Sequence, residues 1–104
     1  MLALLLESEG FRVQTASNGA EALTAMRATR PAVIVLDLMM PVMSGDEFRK
    51  RQLAEPEYAN VPVICMTAAH DGPQRARSMH ATEYFQKPVD FDRLITAVRH
   101  LAES

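Results

Sequence analysis

Three side chains of unlike chemistry stand at the ends of three apolar or alternating runs. Asp37 closes Ala32-Val33-Ile34-Val35-Leu36, Thr67 closes Val61-Pro62-Val63-Ile64-Cys65-Met66, and Lys87-Pro88 follows Glu83-Tyr84-Phe85-Gln86. A carboxylate accepts a phosphoryl group as an acyl phosphate, a lysine beside it neutralises charge, and a threonine hydroxyl hydrogen-bonds a phosphoryl oxygen. Taken singly, each residue has a plainer reading: a turn or cap aspartate, a strand-end threonine, a solvated Lys-Pro loop. Their recurrence at three successive strand ends favours chemistry, because a parallel sheet lays the carboxyl ends of its strands along one rim where ligands bind.

That rim requires parallel strands, and the pattern predicts them. Five apolar residues before Asp37, three of them β-branched, read as a strand buried on both faces. Met1 to about Glu9 carries Leu2, Leu5 and Leu6 at helical spacing, with Gly10 as a C-terminal cap. Phe11 to Thr15 alternates apolar and polar like a half-buried strand. Ser17-Asn18-Gly19 then breaks the chain before a helix whose inner face is Ala22, Leu23 and Met26. Ser44 and Glu47 form a capping box for the helix after Asp37, with Phe48 inward and an end before Pro56. A marginal helix spans Gly72 to Met79. Asp90 or Asp92 caps a last helix with Leu94, Ile95, Val98 and Leu101 on its core face. Helix and strand alternate throughout, which predicts a doubly wound α/β fold with a parallel sheet in one domain, residues 1–104.

Composition narrows the function classes. Hydrophobic residues make up 48% and charged residues 23% of the 104, as in ordinary globular domains. The net charge of -2 gives no footprint for nucleic acid or an anionic membrane. The apolar start is too short for a signal peptide or a membrane span, and lone Cys65 lies in an apolar run as a small buried hydrophobe. A cytoplasmic protein is expected. His70, His80 and His100 share no metal-binding spacing, and Met39, Met40 and Met43 have no Cys or His beside them for a copper site.

With these residues in place, the chain resembles the receiver domain of two-component response regulators over nearly its whole length. The matching residues are Asp37 with Met40-Pro41 and Gly45 after it, Thr67-Ala68, and Tyr84 three before Lys87-Pro88. The resemblance implies a flavodoxin-like fold in which Asp37 takes a phosphoryl group from a histidine kinase or phosphotransfer protein. Lys87 pairs with the carboxylate and phosphoryl group, and Lys87-Pro88 is a cis peptide. Thr67 and Tyr84 form a switch pair that reshapes a face contacting a downstream partner or output domain. Such a receiver is a switch and not an enzyme beyond slow self-dephosphorylation.

The resemblance also exposes a gap. Receivers open with a strand ending in acids that hold Mg²⁺ together with the phosphoacceptor and a nearby carbonyl, here that of Met39. This sequence begins within the following helix, so the domain is expected to lack the first strand and to have a weakened or lost metal site. Glu7 and Glu9 do not substitute, since a five-residue strand puts them roughly 16 Å away at the opposite sheet edge. The absent strand leaves a slot beside the Ala32 run. It is filled by the Phe11 strand moving across, by a second copy through dimerisation or strand exchange, or by residues missing from a truncated sequence. Two other functions compete with the phosphorelay receiver. One is a degenerate receiver serving as a constitutive interaction or dimerisation module. The other is an aspartyl-phosphate phosphatase or phosphomutase, which needs a second acid where Met39 stands.

Overall fold

The computed structural model describes residues 2–37, 43, 45–67 and 72–103. The elements run α1 (Leu2–Ser8), α2 (Gly19–Ala28), β1 (Ile34–Asp37), α3 (Gly45–Leu53), β2 (Val63–Thr67), α4 (Gly72–Ser78), β3 (Glu83–Gln86) and α5 (Phe91–Ala102). The strands form a parallel sheet in the order β1-β2-β3, with Ile34 opposite Val63 and Ile64 opposite Glu83.

Strand alternation divides the core between the two sheet faces. Ile34, Leu36, Val63 and Cys65 meet Leu23 and Met26 of α2 and Phe48 of α3 on one face. Val35, Ile64, Met66 and Phe85 meet Leu6 of α1 and Leu94, Ala97 and Val98 of α5 on the other. The doubly wound arrangement follows, and β2, with Val63, Ile64, Cys65 and Thr67 all buried, is its centre.

Local chemistry fixes the helix ends. Gly10, at a φ of 93°, ends α1 in a Schellman turn, with Phe11 N–H donating to Leu6 O and Gly10 N–H to Glu7 O. Asn18 caps α2 by accepting from the Glu21 N–H, and Glu21 Oε1 accepts from the Ser17 N–H in return. Asp90, one of the two expected caps, accepts from the Arg93 N–H at the start of α5. The Ser44 cap lies outside the described residues, but Phe48 of that helix is buried as expected.

One expected element is absent. Phe11 to Thr15 forms no strand, and within the described sheet β1 pairs with β2 alone, so the Phe11 segment has not crossed over to β1. The alternation is real: Phe11 and Val13 rest on the α1/α5 side of the core while Arg12 and Gln14 are exposed. Side chains hold this segment without a ladder. The Arg99 guanidinium lies 5.2 Å from the Phe11 ring centroid and its Nη2 is 3.0 Å from Glu9 Oε1.

Candidate functional site

The sheet brings the three rim residues to one edge. Asp37 is the last residue of β1 and Thr67 the last of β2, while the Lys87 N–H donates to Thr67 O at 2.8 Å, extending the β2–β3 ladder by one step. Lys87 Nζ then reaches back across β2 and donates to Asp37 Oδ2 at 2.5 Å. Asp37 and Lys87 side chains keep 33% and 40% exposure, so the pair is reachable from solvent. Thr67 is fully buried beside them. The Lys87–Pro88 bond is cis, as expected.

Tyr84 lies opposite Cys65 in the register and packs, half-buried, against the α2/α3 side of the core. Cys65 is fully buried, and loss of solvation pushes its thiol up from 9.0 to about 11. This is the small buried hydrophobe that the sequence suggests, with no nucleophilic character. The Ser17-Asn18-Gly19 turn closes on Met43: a Cβ at Gly19 would stand 2.7 Å from Met43 Cγ, so glycine permits the approach.

The metal expectation fits less well. Among the described residues no group of three His, Cys, Asp or Glu side chains could hold a metal ion, and the Met39 carbonyl lies outside them. Asp37 is a suitable oxygen donor for Mg²⁺, but a single carboxylate already engaged by a lysine does not make an octahedral site. The described donor set therefore does not fit the ion. Glu9, at the far end of α1, is taken up by Arg99.

Two buried polar residues escape sequence reasoning. Arg49 and Gln52 of α3 are 6% and 0% exposed. Gln52 Nε2 donates to Tyr58 O and Val61 O, and its Oε1 accepts from Arg49 Nη1. Arg49 also donates to Met79 O and His80 O, and burial lowers its pKa. Only Phe48 of this helix is expected inward from the sequence, yet Gly45, Phe48, Arg49 and Gln52 recur at core-face spacing, which is the signal that was available.

This rim geometry has counterparts among known proteins. A sequence profile described as the response regulator receiver domain matches residues 1–99. The chain belongs to the response regulator receiver family. The receiver is 34% identical over 101 residues to the phosphate regulon transcriptional regulatory protein PhoB of Rhizobium meliloti (strain 1021), covering 95% of this chain and 44% of that protein. It is also 34% identical over 98 residues to hybrid signal transduction histidine kinase D of Dictyostelium discoideum, covering 92% of this chain and 6% of that one. It thus spans less than half of either relative.

Among solved structures, a putative response regulator from Chloroflexus aurantiacus J-10-fl matches with a TM-score of 0.90 at 26% identity, over 100% of this receiver and 87% of that chain. The receiver domain of sensor histidine kinase PA1611 from Pseudomonas aeruginosa PAO1, with magnesium coordinated in its active site cleft, matches in fold. Its TM-score is 0.89 at 23% identity, over 99% of this receiver and 86% of that chain. Receiver domains are phosphoacceptor switches of two-component phosphorelays and not conventional enzymes. No helix among the described residues is long and apolar enough to cross a membrane.

Proposed function

We propose that this receiver accepts a phosphoryl group on Asp37 from a phosphohistidine of a kinase or phosphotransfer protein. The observation that carries the reading is the Lys87 Nζ contact with Asp37 Oδ2 at a solvent-reachable rim. In the transfer a carboxylate oxygen of Asp37 attacks phosphorus, the P–O bond forms as the N–P bond breaks, and the electron pair leaves with the imidazole nitrogen. Lys87 offsets the charge gathered on carboxylate and phosphoryl oxygens. Thr67 supplies a hydroxyl to a phosphoryl oxygen, and Tyr84 responds by moving inward, so that α4, β3 and α5 present a changed face to a downstream protein or an output domain. Cytoplasmic signalling suits such a domain.

The direct test is incorporation of phosphate from a small phosphodonor in Mg²⁺, read as a mass gain. Wild type gains one phosphoryl group and Asp37→Asn gains none; equal incorporation into both removes Asp37 from the reaction.

A second reading, a receiver-derived interaction module with weak or absent Mg²⁺-dependent phosphorylation, is favoured by the lack of a three-donor cluster among the described residues. Loading that rises steeply with Mg²⁺ rejects it. The position of β1 at the edge of the described sheet, with apolar side chains on both faces, supports self-association through that edge. Light scattering that finds a cooperatively folding monomer at micromolar concentration counts against that association.

A further inference from the structure

Burying an arginine is costly unless its donors all find acceptors. Each of the three guanidinium nitrogens of Arg49 finds an acceptor, none of them a carboxylate: Nε donates to Met79 O at 2.9 Å, Nη2 to His80 O at 2.9 Å and Nη1 to Gln52 Oε1 at 2.8 Å. The two carbonyls lie just past the end of α4, where the helix dipole favours a cation. They are available because α4 stops in a Schellman turn: His80, at a φ of 55°, donates to Arg77 O, and the Ala81 N–H donates to Ala76 O. Thr82 next donates its N–H to Val63 O, which aligns the chain for β3. One side chain of α3 thereby fixes the turn that launches Tyr84 and Lys87.

A second contact joins the same helices. Asp46, three residues before Arg49 on α3, pairs with Arg75 in the middle of α4. The two contacts differ in kind. The Arg49 bonds are buried or, at His80, part-buried and go to neutral acceptors, whereas Asp46 and Arg75 side chains are 45% and 23% exposed and attract through charge that salt screens. Both helices leave the rim: α3 follows Asp37 and α4 follows Thr67.

We propose that Arg49 is the fixed pivot of α4 and that the Asp46–Arg75 pair is its releasable latch, so that α4 swings from its C-terminal end while the turn into β3 stays in place. The pivot and latch rest on these contacts alone. Their use as the lever of the output face rests on the reading of Asp37 as phosphoacceptor.

Amide hydrogen exchange of the unmodified receiver tests the pivot independently of any phosphorylation. Arg49→Met is expected to speed exchange at Met79, His80 and Ala81 by about tenfold or more, the factor equivalent to 1.4 kcal/mol. Arg49→Lys, which keeps the charge and part of the donor set, is expected to fall between Arg49→Met and wild type and serves alone if the methionine variant does not fold. Asp46→Asn, or high salt on wild type, is expected to speed exchange at Ala76 and Arg77 and leave Ala81 unchanged. Ala81 exchange within twofold of wild type in Arg49→Met, or equal opening of Ala81 by Asp46→Asn, overturns the proposal.

A second arm loads the protein with a small phosphodonor in Mg²⁺ and follows the Tyr84 amide by NMR. Arg49→Met is expected to load as wild type does and to lose the Tyr84 shift; a retained shift refutes the lever. Failure of wild type to load rejects the phosphoacceptor reading and leaves the exchange result to decide the pivot.

Discussion

Replacing Lys87 by methionine isolates its charge from its bulk. The register shows why a long side chain is needed there. Asp37 stands opposite Met66, one residue short of Thr67, and Thr67 stands opposite Gln86, one short of Lys87. With strands about 4.8 Å apart and about 3.3 Å of rise per residue, the two backbones are separated by about 10 Å across the sheet and about 7 Å along it. The ammonium closes that gap to 2.5 Å. A hydrogen bond to a charged group contributes about 1.5–3 kcal/mol, and exposure of 33% and 40% in this pair argues for the lower half of that range. If the interaction is retained as charge grows on phosphorus, Lys87→Met slows loading of Asp37 by about 10–30-fold, each 1.4 kcal/mol being a factor of ten. Folding stability changes by less than about 1 kcal/mol, as for other half-exposed ion pairs. The assay compares initial rates of phosphate incorporation at low and high salt, alongside thermal melts of each variant. Loading of Lys87→Met within twofold of wild type at low salt refutes the reasoning, and so does a rate loss matched by an equal loss of stability.

Other perturbations address the scaffold. Phe48, 1% exposed between α3 and the sheet, should cost about 3–5 kcal/mol as Phe48→Ala, measured by denaturant unfolding. Cys65 should resist alkylation in the native protein at pH 8 and react once denaturant is added; rapid native labelling would contradict its burial. The same thiol gives a pH signature. Its folded pKa lies above the unfolded one, so its contribution to stability is intact below about pH 9 and declines toward about pH 11 as the unfolded chain ionises first, a trend that Cys65→Ala should remove from stability-versus-pH curves.

Much of this fold is legible in the sequence because β1 and β2 are short apolar runs with core on both faces of the sheet and because helix ends carry caps. Asp90 and Gly10 announce helix ends through side-chain and backbone chemistry that acts within a few residues. Phe11 to Thr15 misleads because a period of two records which side chains are buried, whereas a strand also needs a neighbour to complete its ladder. Asp37 and Lys87 are readable as a candidate site because one ends β1 and the other directly follows β3. Arg49 is only half legible: its spacing with Gly45, Phe48 and Gln52 marks a core face, but two of its three partners are carbonyls 30 and 31 residues away, which no local pattern announces.

The reach of Lys87 across the sheet also bears on how the molecule is made. Asp37 and its ammonium are 50 residues apart, and the lysine is positioned by a backbone bond to Thr67 that exists only once β3 has docked on β2. A chain emerging from the ribosome displays the aspartate long before it can display the pair, and non-local closure of this kind comes late in folding. Lys87 precedes α5 by only the short connection to Phe91, so the charged rim and the last helix are completed together. An Asp37 carboxylate without the Lys87 ammonium beside it therefore marks an unfinished chain.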